Sequence, residues 1–221
     1  MTNLEILYED NHIIVVVKPY GILSQKDSTN DTDMLTIIKN YIKEKYNKPG
    51  NVYLGLVHRL DRPTTGIMVF AKTSKAAARL SKQIKDHEFH KSYLAVVDGC
   101  IKEKSGRFID YLKKDEKGNS LVVKKGEGKL AELSYTVLDY NKKENKTLIE
   151  VNLKTGRHHQ IRVQFKHHGY PLCGDQRYGK QDKTMLALVA YKLEFLHPVK
   201  KEVMKFTYYP KNHPYLSMFT L

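Results

Sequence analysis

The sequence predicts an α+β fold: a largely antiparallel mixed sheet with flanking helices. Three observations lead there. Strand-like runs outnumber helical ones. The two kinds do not alternate regularly, as a doubly wound α/β sheet requires. Short turns rich in Lys, Gly and Asn separate most of the later runs. At 221 residues the chain is long enough for one sizeable core. No internal repeat, linker or low-complexity stretch interrupts it, so residues 1–221 are expected to form a single domain.

Residues 4–8 and 12–17 are apolar, β-branched runs separated by the turn signal Glu9-Asp10-Asn11, and Lys18-Pro19-Tyr20-Gly21 breaks the second run. The period then changes. Met34, Leu35, Ile37, Ile38, Tyr41 and Ile42 recur at helical spacing, with candidate caps at residues 31–33 and a stop at Pro49-Gly50. Residues 52–57 and 66–71 read as strands flanking a connection. Ser74 is the expected N-cap of a second helix, with Ala77, Leu80, Ser81 and Ile84 on one face. Strands are then expected over 91–97, 107–112, 120–123, 130–140 and 146–153. The least apolar stretch, 114–129, reads as a mobile hairpin. Residues 158–167 suit a short helix stopped by Gly169 and Pro171. Strands over 190–196 and 203–209, joined by a turn at His197-Pro198, complete the chain.

Charge narrows the partners. Lys and Arg number 38 against 24 Asp and Glu, a net charge of +14, which points to a polyanion, most simply nucleic acid. The lysines are dispersed, with local density at Lys113-Lys114, Lys124-Lys125 and Lys142-Lys143, as on a charged face of a folded body rather than a basic tail. Two cysteines, Cys100 and Cys173, make neither a disulfide framework nor a zinc knuckle. The N-terminus lacks the layout of a signal peptide, and no apolar run reaches membrane-spanning length. A reduced, cytoplasmic protein with no membrane association is expected, and no obligate protein partner is evident.

The connection between the strands over 52–57 and 66–71 reads His58-Arg59-Leu60-Asp61-Arg62-Pro63-Thr64-Thr65-Gly66. It sets one carboxylate between two arginines on a loop, where a rigid scaffold tends to present reactive groups. Flanking cations favour the ionised carboxylate, which suits a nucleophile better than a general acid. The plainer alternative is an aspartate that only stabilises its turn. Three further segments complement it. Lys91-Ser92-Tyr93 opens a strand and offers a flat ring with a phenol for hydrogen bonding or proton transfer. Thr155-Gly156-Arg157-His158-His159-Gln160-Ile161-Arg162 carries Arg157, Gln160 and Ile161 at i, i+3 and i+4 if helical, with His158 and Arg162 sharing a side. Gly169-Tyr170-Pro171-Leu172-Cys173-Gly174-Asp175-Gln176-Arg177-Tyr178-Gly179 reads as a shaped loop.

In this order the segments resemble the RluA family of RNA pseudouridine synthases. Its central motif is HRLD followed by a small Thr/Ser-Gly turn, its second a Lys-x-Tyr strand start, its third TGR-x-HQIR. The Lys18-Pro19-x-Gly21 turn and the Leu193-x-Phe195-x-His197-Pro198 string match further family elements, so the likeness runs from about residue 6 to about residue 210. The resemblance implies the pseudouridine synthase catalytic fold, an isomerase acting on rRNA or tRNA, and no cofactor. It implies Asp61 as nucleophile, Tyr93 as the tyrosine packing on the target base, and Arg162 as the arginine pairing with the catalytic aspartate. Arg59 holds the position that fills the space of a flipped base, and Ile161 lines the uracil pocket. Arg62, Arg157 and Gln160 are further candidate RNA contacts. His158 departs from the common motif, which has Thr there. Whether Asp61 attacks the sugar or the base, or assists elimination, stays open, as do the RNA, the uridine and the oligomeric state. The start of the sequence at this body implies no preceding S4-type RNA-binding domain.

The histidines suggest no metal. None forms H-E-x-x-H, and the adjacent pairs are expected to point apart on a helix. No phosphate-binding glycine loop occurs. The competing class is a non-catalytic RNA-binding or RNA-folding protein on the same fold. It shares the basic charge but needs no nucleophile.

Overall fold

A computed structural model describes residues 4–180 and 182–220. The chain resolves into two compact units, each assembled from separated stretches of sequence: Met1–His90 with Ala190–Tyr208, and Lys91–Val189 with Tyr209–Leu221. Elements are numbered in chain order.

The first unit holds β1 (Ile6–Glu9), β2 (Ile13–Lys18), α1 (Met34–Lys45), β3 (Gly55–Leu56), β4 (Thr65–Ala71), α2 (Ser74–Lys85), β10 (Leu188–Leu196, in this unit from Ala190) and β11 (Val203–Thr207). The strand order is β1-β2-β4-β10, with β11 on β10 and β3 on β4. The pairs β1–β2, β2–β4, β3–β4 and β10–β11 are antiparallel. β2 and β4 are buried along their whole length, as their unbroken apolar runs require. Ile13, Val15, Ile67, Val69, Leu193 and Phe195 of the sheet pack with Ala76 and Leu80 of α2.

Both helices start where capping chemistry allows. Asp33 accepts from the Thr36 N–H and caps α1, within the candidates at 31–33. On α2 the cap is Thr73, not Ser74: the Thr73 hydroxyl accepts from the Ala76 N–H at 3.2 Å. Either residue has the right chemistry, and burial chooses the register. Ala76, Leu80 and Gln83 turn inward, and the Gln83 amide is tied to both backbone polar groups of Leu196. The expected strand over 52–57 shrinks to two residues. β4 gives β3 only Phe70 and Ala71, because β10 is its other neighbour and Gly66 lies against the Ala190 backbone.

The second unit holds β5 (His90–Asp98), β6 (Ser105–Lys114), β7 (Ser120–Val123), β8 (Lys129–Asn141), β9 (Lys146–Leu153) and α3 (Gln160–His167). Its strand order is β5-β9-β8-β6-β7, and every neighbouring pair is antiparallel. Residues 114–129 form two tight turns around β7 rather than one hairpin. The first is closed by Gly118 N–H to Asp115 O at 3.1 Å, the second by Glu127 N–H to Lys124 O at 3.1 Å. α3 begins at Gln160, two residues later than expected. His159 is left-handed, at φ 52°, a conformation no right-handed helix can include. His158 and Arg157 therefore lie before the helix. His158 and His159 do not point apart; their rings stack at 3.7 Å.

Among the described residues no helix is long and apolar enough to cross a membrane.

Candidate active site

The Asp61 turn, in the first unit, is gripped through its main chain. The Thr64 N–H donates to the Asp61 carbonyl at 2.9 Å and closes the turn. On one side of Asp61, the Ser24 hydroxyl donates to the Leu60 carbonyl at 2.8 Å and accepts from the Leu60 N–H at 3.1 Å. On the other side, the Arg62 carbonyl accepts from the Gly21 N–H at 3.1 Å and from Lys18 Nζ at 3.0 Å. Residues 18–24 thus strap the chain on both sides of the carboxylate. His58 is buried, and its Nε2 accepts from the Val69 N–H at 3.1 Å, fixing the start of the motif on β4. Gly66 closes it. Its φ is 134°, and a Cβ there would stand 2.3 Å from the Ala190 carbonyl oxygen, so no other residue fits.

Lys18 is the notable member of the strap, at 0% exposure. Its ammonium gives its three N–H groups to the carbonyls of Pro19, Ile22 and Arg62. Burial pushes its pKa down to about 7; the negative charge of Asp61 pulls it up and Arg62 opposes that. Asp61 itself is half-buried and flanked by exposed Arg59 and Arg62. Arg62 is partly committed, through Nε to the Gly21 carbonyl at 3.0 Å and Nη1 to Asp31 at 2.8 Å. Arg59 makes no hydrogen bond or ion pair among the described residues.

The second unit holds the other candidates. Tyr93 is buried near the start of β5, opposite Val151 of β9. Two residues earlier on the same face stands Lys91, whose pKa burial pushes down. Arg162, on α3, is held by a side-chain pair. Its Nε and Nη2 donate to the two oxygens of Asp175, both at 2.7 Å. The Asp175 carboxylate also accepts from the N–H groups of Arg177 and Tyr178 at 3.0 Å. Burial pushes the Asp175 pKa up, but the Arg162 guanidinium and these N–H groups outweigh it and hold the pKa below the usual range. The Arg162 guanidinium lies 5.1 Å from the Tyr178 ring centroid, and the Tyr178 hydroxyl accepts from the Ser120 N–H. A bidentate pair stacked on a ring fixes a planar cation well.

Ile161 is buried beside it. Gln160 is also buried, and its amide is used inside the protein: the oxygen accepts from Thr155 Oγ1 and the Arg157 N–H, the nitrogen donates to the Glu132 carbonyl. Gln160 therefore shapes the 155–160 turn. Arg157 is exposed, with Nε on the Leu130 carbonyl at 2.8 Å.

Sequence reasoning missed the supports. Lys18 was visible only as a turn residue, although a lysine closing an apolar run before proline was a signal. Asp175 lay inside the glycine-bracketed loop without an assigned role. Gly174 there is left-handed, with a would-be Cβ 2.1 Å from the Met185 carbonyl oxygen, so only glycine fits beside Asp175. No cluster of three or more His, Cys, Asp or Glu side chains suited to a metal ion occurs among the described residues.

Comparison with known proteins gives consistent findings. Residues 12–167 match the family model described as RNA pseudouridylate synthase. The chain is 34% identical over 204 residues to an uncharacterized RNA pseudouridine synthase of Bacillus subtilis, covering 91% of this chain and 67% of that protein. It is 34% identical over 217 residues to ribosomal large subunit pseudouridine synthase D of Zymomonas mobilis, covering 92% and 68%. Among solved structures, human RNA pseudouridylate synthase domain containing 4 superposes with a TM-score of 0.78 at 22% identity, over 94% of this chain and 89% of that one. That likeness concerns the fold.

Proposed function

The chain belongs to the RNA pseudouridylate synthase family, and on that premise we propose that it isomerises specific uridines in structured RNA, with Asp61 as the nucleophile. The observation that carries the reading is an intact His58-Arg59-Leu60-Asp61 motif whose main chain is clamped on both sides of the carboxylate. A protein that only bound RNA would need neither a carboxylate there nor the strap that fixes it.

The reaction breaks the N1–C1′ bond of the target uridine and forms a C5–C1′ bond. N1 gains a proton and C5 loses one, so atoms balance without a redox step or a co-reactant. Asp61 acts on the sugar or the base. Tyr93 packs on the base and presents its phenol to the proton transfers. Arg162 takes the role of the family's aspartate-pairing arginine, and Ile161 lines the uracil site. The base must leave its stack, which costs a few kcal/mol. Arg59 fills the space it vacates, with Arg62 and Arg157 as phosphate contacts. Gln160 acts by shaping its turn. The reading takes residues 1–221 as a single catalytic domain, supported by a family match whose residues 12–167 include parts of both compact units. Relatives named for the large ribosomal subunit favour rRNA over tRNA. An RNA substrate of either kind fits a cytoplasmic enzyme.

The test is to map pseudouridine in total RNA from cells with and without the gene. Loss of pseudouridine at one or a few uridines, restored by the wild-type gene, is expected. Identical maps would sink the reading.

A further inference from the structure

A cavity of about 440 Å³ opens in the second unit, walled by the end of β6, the start of β7, the segment leading into β8, and the turn before α3. That volume falls in the range of ~300–1,000 Å³ typical of small-ligand sites. Four cations line it: Lys113, Lys114, Lys129 and Arg157. Glu127 is the single carboxylate in the lining, and it accepts from the Lys124 N–H. Arg157 is anchored by Nε on the Leu130 carbonyl, so its guanidinium is already positioned. His158 is in the wall as well, and two contacts with Ser120 fix it: Nδ1 to Oγ at 3.0 Å, and the Ser120 hydroxyl to the His158 carbonyl at 2.6 Å. A concave site with one anchored guanidinium, three lysines and a ring in its wall matches the chemistry of a nucleotide within a strand, whose phosphate needs positive charge and whose base needs a flat surface.

Resting on the function proposed above, we propose that this cavity is a second nucleotide subsite. It takes a phosphodiester and base of the RNA other than the uridine that reacts. Lys113, Lys129 and Arg157 hold the phosphate, and the His158 imidazole meets the base. His158, the position where this chain departs from the family's common motif, is therefore a selectivity residue for that flanking nucleotide.

The probe is a fluorescein-labelled 12-mer oligouridylate, with Kd followed by anisotropy at several salt concentrations. Lys113→Gln, Lys129→Gln and Arg157→Gln should each weaken binding by ~3–10-fold and lower the log–log salt slope by ~0.7, the value for one single-strand phosphate. Gly156→Leu changes no charge. A Cβ at Gly156 meets nothing within 4 Å and its backbone is not left-handed, so a leucine is accommodated without strain at this position of the cavity's lining. It should weaken the 12-mer by ~10-fold, the loss expected from one blocked contact. Lys142→Gln with Lys143→Gln removes two charges outside the lining and should cost less than any single lining variant.

Unchanged binding by Lys129→Gln and Gly156→Leu would overturn the subsite, as would an equal loss in the Lys142/Lys143 control. Lys129 is exposed, so its variant remains informative even if Gly156→Leu fails to fold. Competition by uridine 5′-monophosphate as effective as by the 12-mer would mean a free-nucleotide site and overturn the RNA assignment. Pseudouridine formation by the wild-type protein separates the two readings. If wild type is active and the lining variants bind normally, the subsite fails alone. If lining variants lose affinity but wild type forms no pseudouridine, the enzymatic reading fails and the cavity remains an RNA-binding site only.

Discussion

The Asp61 turn and the Arg162 helix are held by opposite means. Around Asp61 the main chain is gripped: Ser24, Gly21 and Lys18 bind the peptide groups of Leu60 and Arg62 on either side of it. Around Arg162 the grip is on the side chain itself, through both oxygens of a buried Asp175. The difference follows from what each group is asked to do. In the role proposed for it Asp61 reacts through its oxygens, and a clamp on the neighbouring peptide groups holds it by atoms that do not react. A guanidinium carries five donors and can spend one edge on a support. Stability should therefore be sensitive to the backbone clamp around Asp61 and to the side-chain partner of Arg162.

The largest expected effect breaks the side-chain grip. Asp175→Ala removes the bidentate partner of a buried guanidinium and should cost ~3–5 kcal/mol in denaturant unfolding. Arg162→Lys keeps the charge but loses the fork, so it should cost less. A loss below ~1 kcal/mol in Asp175→Ala would show that the buried pair is not what stabilises α3.

Lys18 sharpens the backbone side. Its pKa falls from 10.5 to about 7 on folding. Between those values the unfolded chain binds more protons than the folded one, so this group makes stability rise with pH from about 7 towards 10.5, and its charging cost is fully present below about 7. Lys18→Met removes that contribution and strips the Pro19 and Ile22 carbonyls of this donor, while the Arg62 carbonyl keeps the Gly21 N–H, at ~1–3 kcal/mol for buried groups left unsatisfied. Unfolding curves across this window should show a steeper rise for wild type than for Lys18→Met. Parallel pH profiles would contradict a buried, titrating Lys18.

The smallest effect belongs to Ser24→Ala, which removes one clamp on Leu60 and should cost ~1 kcal/mol of stability. Turnover should fall by more than that cost implies, because a displaced carboxylate loses alignment. Equal, small effects on both would make Ser24 a structural residue only.

Much of this was legible in the sequence. β7 and β9 fall on their expected residues, because alternating or β-branched runs bounded by Lys, Gly and Asn carry their own boundaries. The central motif and its two companions were also readable, since each is a contiguous string. What stayed hidden depends on contacts between distant residues. No local pattern says that β10 restricts β3 to two residues, that His159 turns left-handed before α3, or that Asp175 reaches back 13 positions to Arg162. The Ser24 clamp on Leu60 spans 36 positions and is equally silent in sequence.

The most direct test compares purified wild type with Asp61→Asn on RNA lacking the modification, with pseudouridine resolved from uridine by chromatography of the digested nucleosides. The substitution is nearly isosteric and touches none of the backbone bonds that clamp the turn. Abolished pseudouridine formation is predicted, with an unfolding midpoint and RNA affinity close to wild type. Substantial pseudouridine from Asp61→Asn protein free of wild-type contamination would contradict the assignment of the nucleophile.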